Sequence, residues 1–472
     1  MSRNGQYAVP ACVMDAIRAE GYEPPASMAA HIEEWASWYD GTAAWYEDRY
    51  VTADNRSRKR RHLSVRPARR VCRELSNLIV SDDVEISALE SEAGDAWVRS
   101  FAESTGFLDL AGETVEDMAA LGTAAWALWF ESRDGRTRIV PRSYDARMTV
   151  PLSWDVDGVS ECAFATRAFF RGKPIDQLQM HVLDQETGTY HVRTALFSDG
   201  ERLSDERAAA MGVVPDFDTG SEIPTFAVIR PYGKNTREDM SPYGQSLFAD
   251  AVDAVKAVDL SFDAVFSEVD LTEVKVFMSD ELIDVRDERG RLVPVAEGPR
   301  NRFIRKLMGQ SMRDLYEVFS PEIRTGPLRD ALNVALAELG DCCGFGQHYF
   351  VLDKQGGPTT ATEVVSDSSD LMRTVRRNER IVGGAISTLF EAAAACEAAL
   401  NGGLGPIGRV SVRFDDSVIT DTQSEREHAL AEMAAMPDVR ELKVRYLVRF
   451  CGMSEDEAES AVPASAVSEI GY

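Results

Sequence analysis

Apolar residues recur along this chain with two periods, and the chain changes character where the period changes. Over the first hundred residues the spacing is helical. The run His31-Ile-Glu-Glu-Trp-Ala-Ser-Trp-Tyr sets Trp35 and Trp38 on one stripe before Asp40-Gly41 interrupts it. Core packing accounts for such tryptophans better than ligand stacking. From Thr123 short apolar runs take over, divided by Asp134-Gly135, Asp157-Gly158, Thr187-Gly188 and Asp199-Gly200. Turn dipeptides of this kind between apolar runs signal hairpins, so a β-rich block is expected to about residue 230.

Helical spacing then returns. Leu247/Phe248, Ala251/Val252, Val255, Val258, Phe262, Val265/Phe266 and Val269 form an amphipathic stripe, while Asp253, Asp259, Asp263 and Lys256 fall elsewhere on the wheel. A helix of roughly 25 residues would be ~38 Å long, and its aspartates read as an acidic, solvated face. About fifty residues of short strand-like runs (271–326) follow, including a basic patch at Arg302, Arg305 and Lys306. A second helix starts near Pro327, a favoured first-turn residue, and ends by Gly340 to Gly346.

The stretch LDKQGGPTTATEVV looks at first like a phosphate loop, but Gly356-Gly357 leads into Pro358 and no G-x-x-x-x-G-K-[ST] is present. It fits a helix start instead, since Thr360-Ala-Thr-Glu363 matches a capping box. From there Val364, Leu371/Met372, Val375, Val382, Ile386, Leu389/Phe390, Ala393 and Cys396 share one stripe up to Asn401-Gly402-Gly403. Roughly 40 residues of helix span ~60 Å. Adjacent Gly383-Gly384 inside it is expected to kink the helix. The remaining tail reads as acidic and helical.

Composition narrows the function. A chain of 472 residues, 44% hydrophobic and 27% charged, is expected to fold as two or three soluble substructures, with no membrane span and no secretory signal. Seven scattered cysteines without C-x-x-C, and six histidines without a zinc-binding spacing, give no disulfide framework, metal site or cofactor site to expect. A net charge of −27 argues against wholesale neutralisation of nucleic-acid phosphates. The charge is uneven. Asn55 to Arg73 holds nine Arg/Lys and no acid, whereas Phe414 to Tyr472 holds thirteen acids and five bases. Different partners at the two ends, or a basic helix face pairing with acidic neighbours, both suit this asymmetry.

Three segments resemble the portal (head-to-tail connector) proteins of tailed double-stranded DNA phages, especially siphophages of Gram-positive hosts. SPYGQSLFADAVDAVKAVDLSFDAV is similar to the family's G-x-S approach to its stem helix. TTATEVVSDSSDLMRTVRRNERIVGGAISTLF is similar to its long helix, and GTAAWALWFESRDGRTRIVPRSYDARMTVP to its first β segment. The resemblance runs from about 30 to 460. It implies an α+β portal fold, an elongated subunit with wing, stem, clip and crown regions and a long kinked helix, assembling into a ring. Wing would be 1–240, outgoing stem helix 241–270, clip 271–326, returning stem helix 327–343, tunnel loop 344–358, long kinked helix 359–400 and crown 401–472.

A portal is not an enzyme. The resemblance implies a dodecameric ring at one capsid vertex of the virion, touching the major capsid protein and docking terminase and then the head-tail adaptor. Double-stranded DNA would pass through without sequence-specific binding. Expected roles follow for Asp353, Lys354, Gln355, Gly356 and Gly357 in the tunnel loop, with Lys354 meeting phosphate. Asp253, Asp259 and Asp263 would form an acidic stem face, Gly383 and Gly384 a hinge, and Arg302, Arg305 and Lys306 a clip docking patch. The alternatives are another virion structural or scaffold protein with a long helix, or a packaging enzyme. The drift of the stripe at period 3.6 through Gly-Gly speaks against a coiled coil, and the missing phosphate loop against an ATPase.

Overall fold

A computed structural model describes residues 9–51, 57–81, 83–133, 136–272, 275–279, 289, 303–306, 316–319, 322, 324–352, 361–402, 404–414, 429–430, 433, 440–451, 458 and 460–462. The chain forms two units, Met1–Arg413 and Phe414–Tyr472.

The first unit opens with α1 (Ala11–Ala19) and α2 (Ala29–Tyr39). Trp35 and Trp38 of α2 are buried, as core residues at helical spacing should be. The chain then departs from the helical expectation. Strands β1 (Glu47–Val51) and β2 (Ser57–Arg61) pair antiparallel, with Asp48 opposite Arg60 and Arg49 opposite Lys59. All ten residues are exposed, so no apolar alternation marks this ribbon in the sequence. Helix α3 (Pro67–Ile79) follows, with proline at its start and Arg66 in a left-handed conformation before it. Next come β3 (Glu85–Ala88), α4 (Glu92–Thr105), capped by the Ser91 hydroxyl accepting from the Gly94 N–H, and α5 (Phe107–Leu121).

The β block appears where the turns put it. Strands β4 (Ala124–Arg133) and β5 (Arg136–Asp145) pair with Arg133 opposite Arg136, separated in sequence by Asp134-Gly135. With β12 (Phe226–Ile229) they make a three-stranded sheet. The larger sheet runs β10 (Glu201–Arg202), β9 (Tyr190–Ser198), β8 (Lys173–Leu183), β7 (Val159–Phe170), β6 (Thr149–Trp154), with β11 (Asp216–Asp218) added to β9. The short helix α6 (Asp205–Ala210) lies between β10 and β11 in sequence. Strand alternation divides the core: Ala163 and Ala165 of β7 face a cluster with Val13 and Ile17 of α1, while Cys162 and Phe164 face Tyr144 and Phe226 of the smaller sheet.

Helices α7 (Val252–Leu271) and α8 (Thr325–Cys342) pack on each other and bracket a sheet of β13 (Lys275–Ser279), β14 (Phe303–Lys306) and β15 (Tyr316–Phe319), ordered β14-β13-β15. Helix α7 is shorter than expected because residues 247–250 form a turn before it. Helix α9 (Ala361–Asn401) is one helix of 41 residues. Val375, Val382, Ile386, Leu389, Phe390, Ala393 and Cys396 are buried along it, against β4, β5, β12, α3 and β16 (Val410–Arg413). Its stretch Ser369–Asn401 has the length and hydropathy to cross a membrane, but half of its most apolar window is buried in the fold. Strand β16 pairs with β3, so residues 410–413 are part of the first unit. In the second unit α10 (Arg440–Cys451) matches the expected tail helix, and the Arg440 side chain donates to the Val462 carbonyl.

Candidate functional site

The residues singled out above converge on α7, the turn that precedes it and the two ends of the segment that joins α8 to α9. Before α7, the Gly244-Gln245-Ser246 turn is fitted onto the end of α5. The Gly244 N–H donates to the Thr123 hydroxyl at 2.9 Å, and the Leu247 N–H to the Ala119 carbonyl at 2.9 Å. The Ser246 hydroxyl donates to the same Ala119 carbonyl at 3.2 Å. Gly122, with φ of 78°, caps α5, and a Cβ there would sit 2.7 to 2.8 Å from the backbone of Gly244, Gln245 and Ser246. A Cβ on Gly244 would in turn meet the Gly122 carbonyl. The G-x-S spacing therefore serves backbone contact: glycine lets two chains touch, and serine satisfies a helix-end carbonyl.

On α7 itself the acidic face expected at Asp253, Asp259 and Asp263 exists only at Asp253. That side chain is 95% exposed and accepts from Lys256 Nζ at 2.8 Å. Asp259 is fully buried. Its Oδ2 accepts from the Tyr46 hydroxyl at 2.7 Å and the Ser64 hydroxyl at 2.8 Å, and its Oδ1 from the Val65 N–H at 2.9 Å. Burial pushes its carboxyl above the usual range, while the three donors pull it back. Asp263, one turn on, accepts from Arg60 Nη2 at 2.6 Å and from the Leu63 N–H at 3.2 Å, with His62 Nδ1 at 3.2 Å. Two aspartates four residues apart share one helix face, and here that face holds residues 60–65 rather than solvent.

The basic segment accordingly pairs mostly within the subunit. Arg61 donates to the Gly41 carbonyl, Arg66 to that of Asp40, and Arg69 to the Asp40 carboxylate at 3.1 Å. Arg70 lies over Phe350 and Arg73 lies 3.6 Å from Glu116. This matches the pairing expectation, although a ribbon and a loop carry half of it rather than one helix. Tyr46, Ser64 and Asn378 were not legible as functional. Asn378, buried on α9, accepts from the Tyr232 N–H at 2.9 Å and so ties α9 to the segment before α7. Its signal is a polar residue interrupting an apolar stripe.

Asp353, Lys354, Gln355, Gly356 and Gly357 lie outside the described residues, as does Thr360 of the capping box. The root of that loop is described. Phe345, Tyr349 and Phe350 pack together, Phe345 and Phe350 are buried, the Tyr349 hydroxyl donates to Glu74 at 2.6 Å, and the Leu352 N–H donates to Asn333 at 3.1 Å. Helix α9 runs uninterrupted through Gly383 and Gly384. The Ser387 and Thr388 hydroxyls donate to the carbonyls of Gly383 and Gly384, at 2.9 and 3.1 Å. Such back-bonding accompanies helix bending. In the insert Arg302 lies outside the described residues, while Arg305 and Lys306 sit on β14, opposite Met278 and Ser279 of β13. At the far ends of the helix pair, Arg324 makes a two-pronged bond to Glu268 of α7, at 2.9 and 2.8 Å.

The family model for phage portal proteins of the SPP1 Gp6-like type matches residues 27–438. The chain belongs to the phage portal protein family. As a portal it is a structural component of the virion, placed at the capsid, and a homo-oligomeric ring with a DNA channel is general to its family. Among solved structures it is similar to a chain from the virion of a native gene transfer agent particle, at 10% identity, covering 96% of this chain and 99% of that one with a TM-score of 0.40. It is also similar to a chain from the neck of an empty gene transfer agent particle, at 11% identity, 95% and 98% coverage and a TM-score of 0.41. No curated protein matches it.

Proposed function

We propose that α7 and α8 form the stem of a twelve-membered portal ring, with 1–240 as wing, 271–326 as clip and 401–472 as crown. The observation that carries this reading is the helix pair itself. Packed along its length and tied by the Glu268–Arg324 fork, it joins the body of the first unit to the three-stranded insert. The insert would be the docking surface, through Arg302, Arg305 and Lys306, for terminase during packaging and then for the head-tail adaptor. The wing would meet the major capsid protein.

The loop of residues 353–357 would project inward as the tunnel loop, with Lys354 facing passing phosphate. Its aromatic root, bonded to Glu74 and Asn333, supplies a fixed base for such a loop. With Asp259 and Asp263 turned inward, Asp253 is what remains of the repulsive stem face on α7. Duplex DNA would slide because few phosphates are neutralised. Gly383 and Gly384 would act as a bend that sets α9 against the channel. The double variant Gly383→Ala/Gly384→Ala is expected to package less DNA per particle; packaging equal to the parent would remove the hinge.

A density map of the assembled ring tests the arrangement. Helices α7 and α8 around the bore, with 353–357 pointing into it, are expected. Finding that helix pair on the outer rim would overturn the assignment.

A further inference from the structure

Most of the basic segment finds its partner inside the subunit, but Arg49, Arg58 and Lys59 make no ion pair among the described residues. Arg49 and Lys59 face each other directly across the ribbon, a like-charge pairing that costs stability and that Glu47, two residues along the same face, offsets only on one side. Strand alternation puts Arg49, Val51 and Lys59 on the side opposite Arg60, whose guanidinium reaches α7. Val51 is 65% exposed there. The same face carries Glu47, Ser57 and Arg61, with Glu47 opposite Arg61; towards the turn it offers the cations Arg49 and Lys59 beside Val51.

A complementary surface exists on α8. Leu332, Leu336 and Leu339 are buried on one side of that helix. Asp330, Val334, Glu338 and Asp341, spaced i, i+4, i+8 and i+11, line up on another, and all four are exposed. The three carboxylates make no ion pair among the described residues, and Val334 is 63% exposed. A closed ring needs two different surfaces of one chain that fit each other. A basic face with a valine and an acidic stripe with a valine meet that requirement.

We propose that the ribbon face of Arg49, Val51 and Lys59 docks on the α8 stripe Asp330, Val334, Glu338 and Asp341 of a neighbouring copy of this chain. Duplex DNA is the weaker occupant, because a phosphate backbone gives Val51 nothing to cover. The inference rests on the ring reading and adds which surfaces close the ring.

Native mass spectrometry of the full-length chain at low salt tests it, with three variants beside the parent. Arg49→Glu/Lys59→Glu and Glu338→Lys/Asp341→Lys are each expected to lower the ring fraction at least tenfold. The four-fold charge swap is expected to restore it. Raising salt should weaken the parent ring and leave the residual assembly of the two double variants unmoved. Rings in Arg49→Glu/Lys59→Glu at the parental fraction overturn the inference and leave the ring reading standing. The same rings with lost retention of duplex DNA also overturn it and assign the ribbon to DNA. A parent chain that forms no rings overturns both.

Discussion

The first turn of α7 and the middle of the same helix carry the same residue type to opposite ends. Asp253 stands in solvent beside Lys256, whereas Asp259 and Asp263 are enclosed by residues 46 and 60–65. A sequence reading assigns all three to one charged face, but at 3.6 residues per turn Asp253 lies roughly 120° from Asp259, so only Asp259 and Asp263 share a side, and helical spacing does not report what covers that side. What covers it is a polar segment whose own hydrogen-bond needs match those of the carboxylates: two hydroxyls, two backbone N–H groups, an arginine and a histidine. Buried carboxylates are kept where donors converge on them. The middle of α7 is therefore an anchoring surface, and only its start is a solvated one.

The contrast can be broken by substitution. Asp259→Ala is expected to cost the most, about 3 kcal/mol in chemical denaturation, because it leaves the buried Tyr46 hydroxyl, the half-buried Ser64 hydroxyl and the Val65 N–H without their acceptor. A loss below about 0.5 kcal/mol, the level of an ordinary surface site, would show that the anchor is absent. Asp263→Ala should cost less, about 2 kcal/mol, since Arg60 is partly exposed and regains water.

A third carboxylate sharpens the comparison. Asp117 on α5 is half-buried near Asp145 rather than among donors. Burial first, then the Asp145 charge, push it up to about 7 against the pull of Arg147. A group raised in the folded state contributes stability that is complete below its unfolded value near 4 and is lost as pH rises through about 7. Asp117→Asn is expected to raise the melting temperature at pH 8, corresponding to about 1 kcal/mol, and by less at pH 5. An equal change at both pH values would contradict the assignment. Asp253→Asn closes the series with the smallest change, indistinguishable from the parent in the same denaturation experiment, as befits an exposed i, i+3 pair.

Legibility followed the range over which the causes act. Asp157-Gly158, Thr187-Gly188 and Asp199-Gly200 were readable as turns because the conformation is local: Gly158, Gly188, Gly200 and Asp199 all have positive φ. The long stripe of α9 was readable for the same reason. The turn at Arg171-Gly172, also with positive φ at both residues, lacks the Asn or Asp that would have announced it. The β1–β2 ribbon was not readable, since its ten exposed residues carry no alternation and its support comes from Asp263, about two hundred positions away. Burial of Asp259 and Asp263 is the other half of that long-range fact. The portal resemblance was readable because the G-x-S turn and the long helix are fixed by contacts that tolerate few residue types, such as the Gly122–Gly244 approach.

Negative-stain electron microscopy of the purified chain shows whether the subunit closes a ring around a channel. Closed rings of uniform diameter with a stain-filled central hole are expected. Fibres, or monomers at every concentration and salt condition tried, would contradict it.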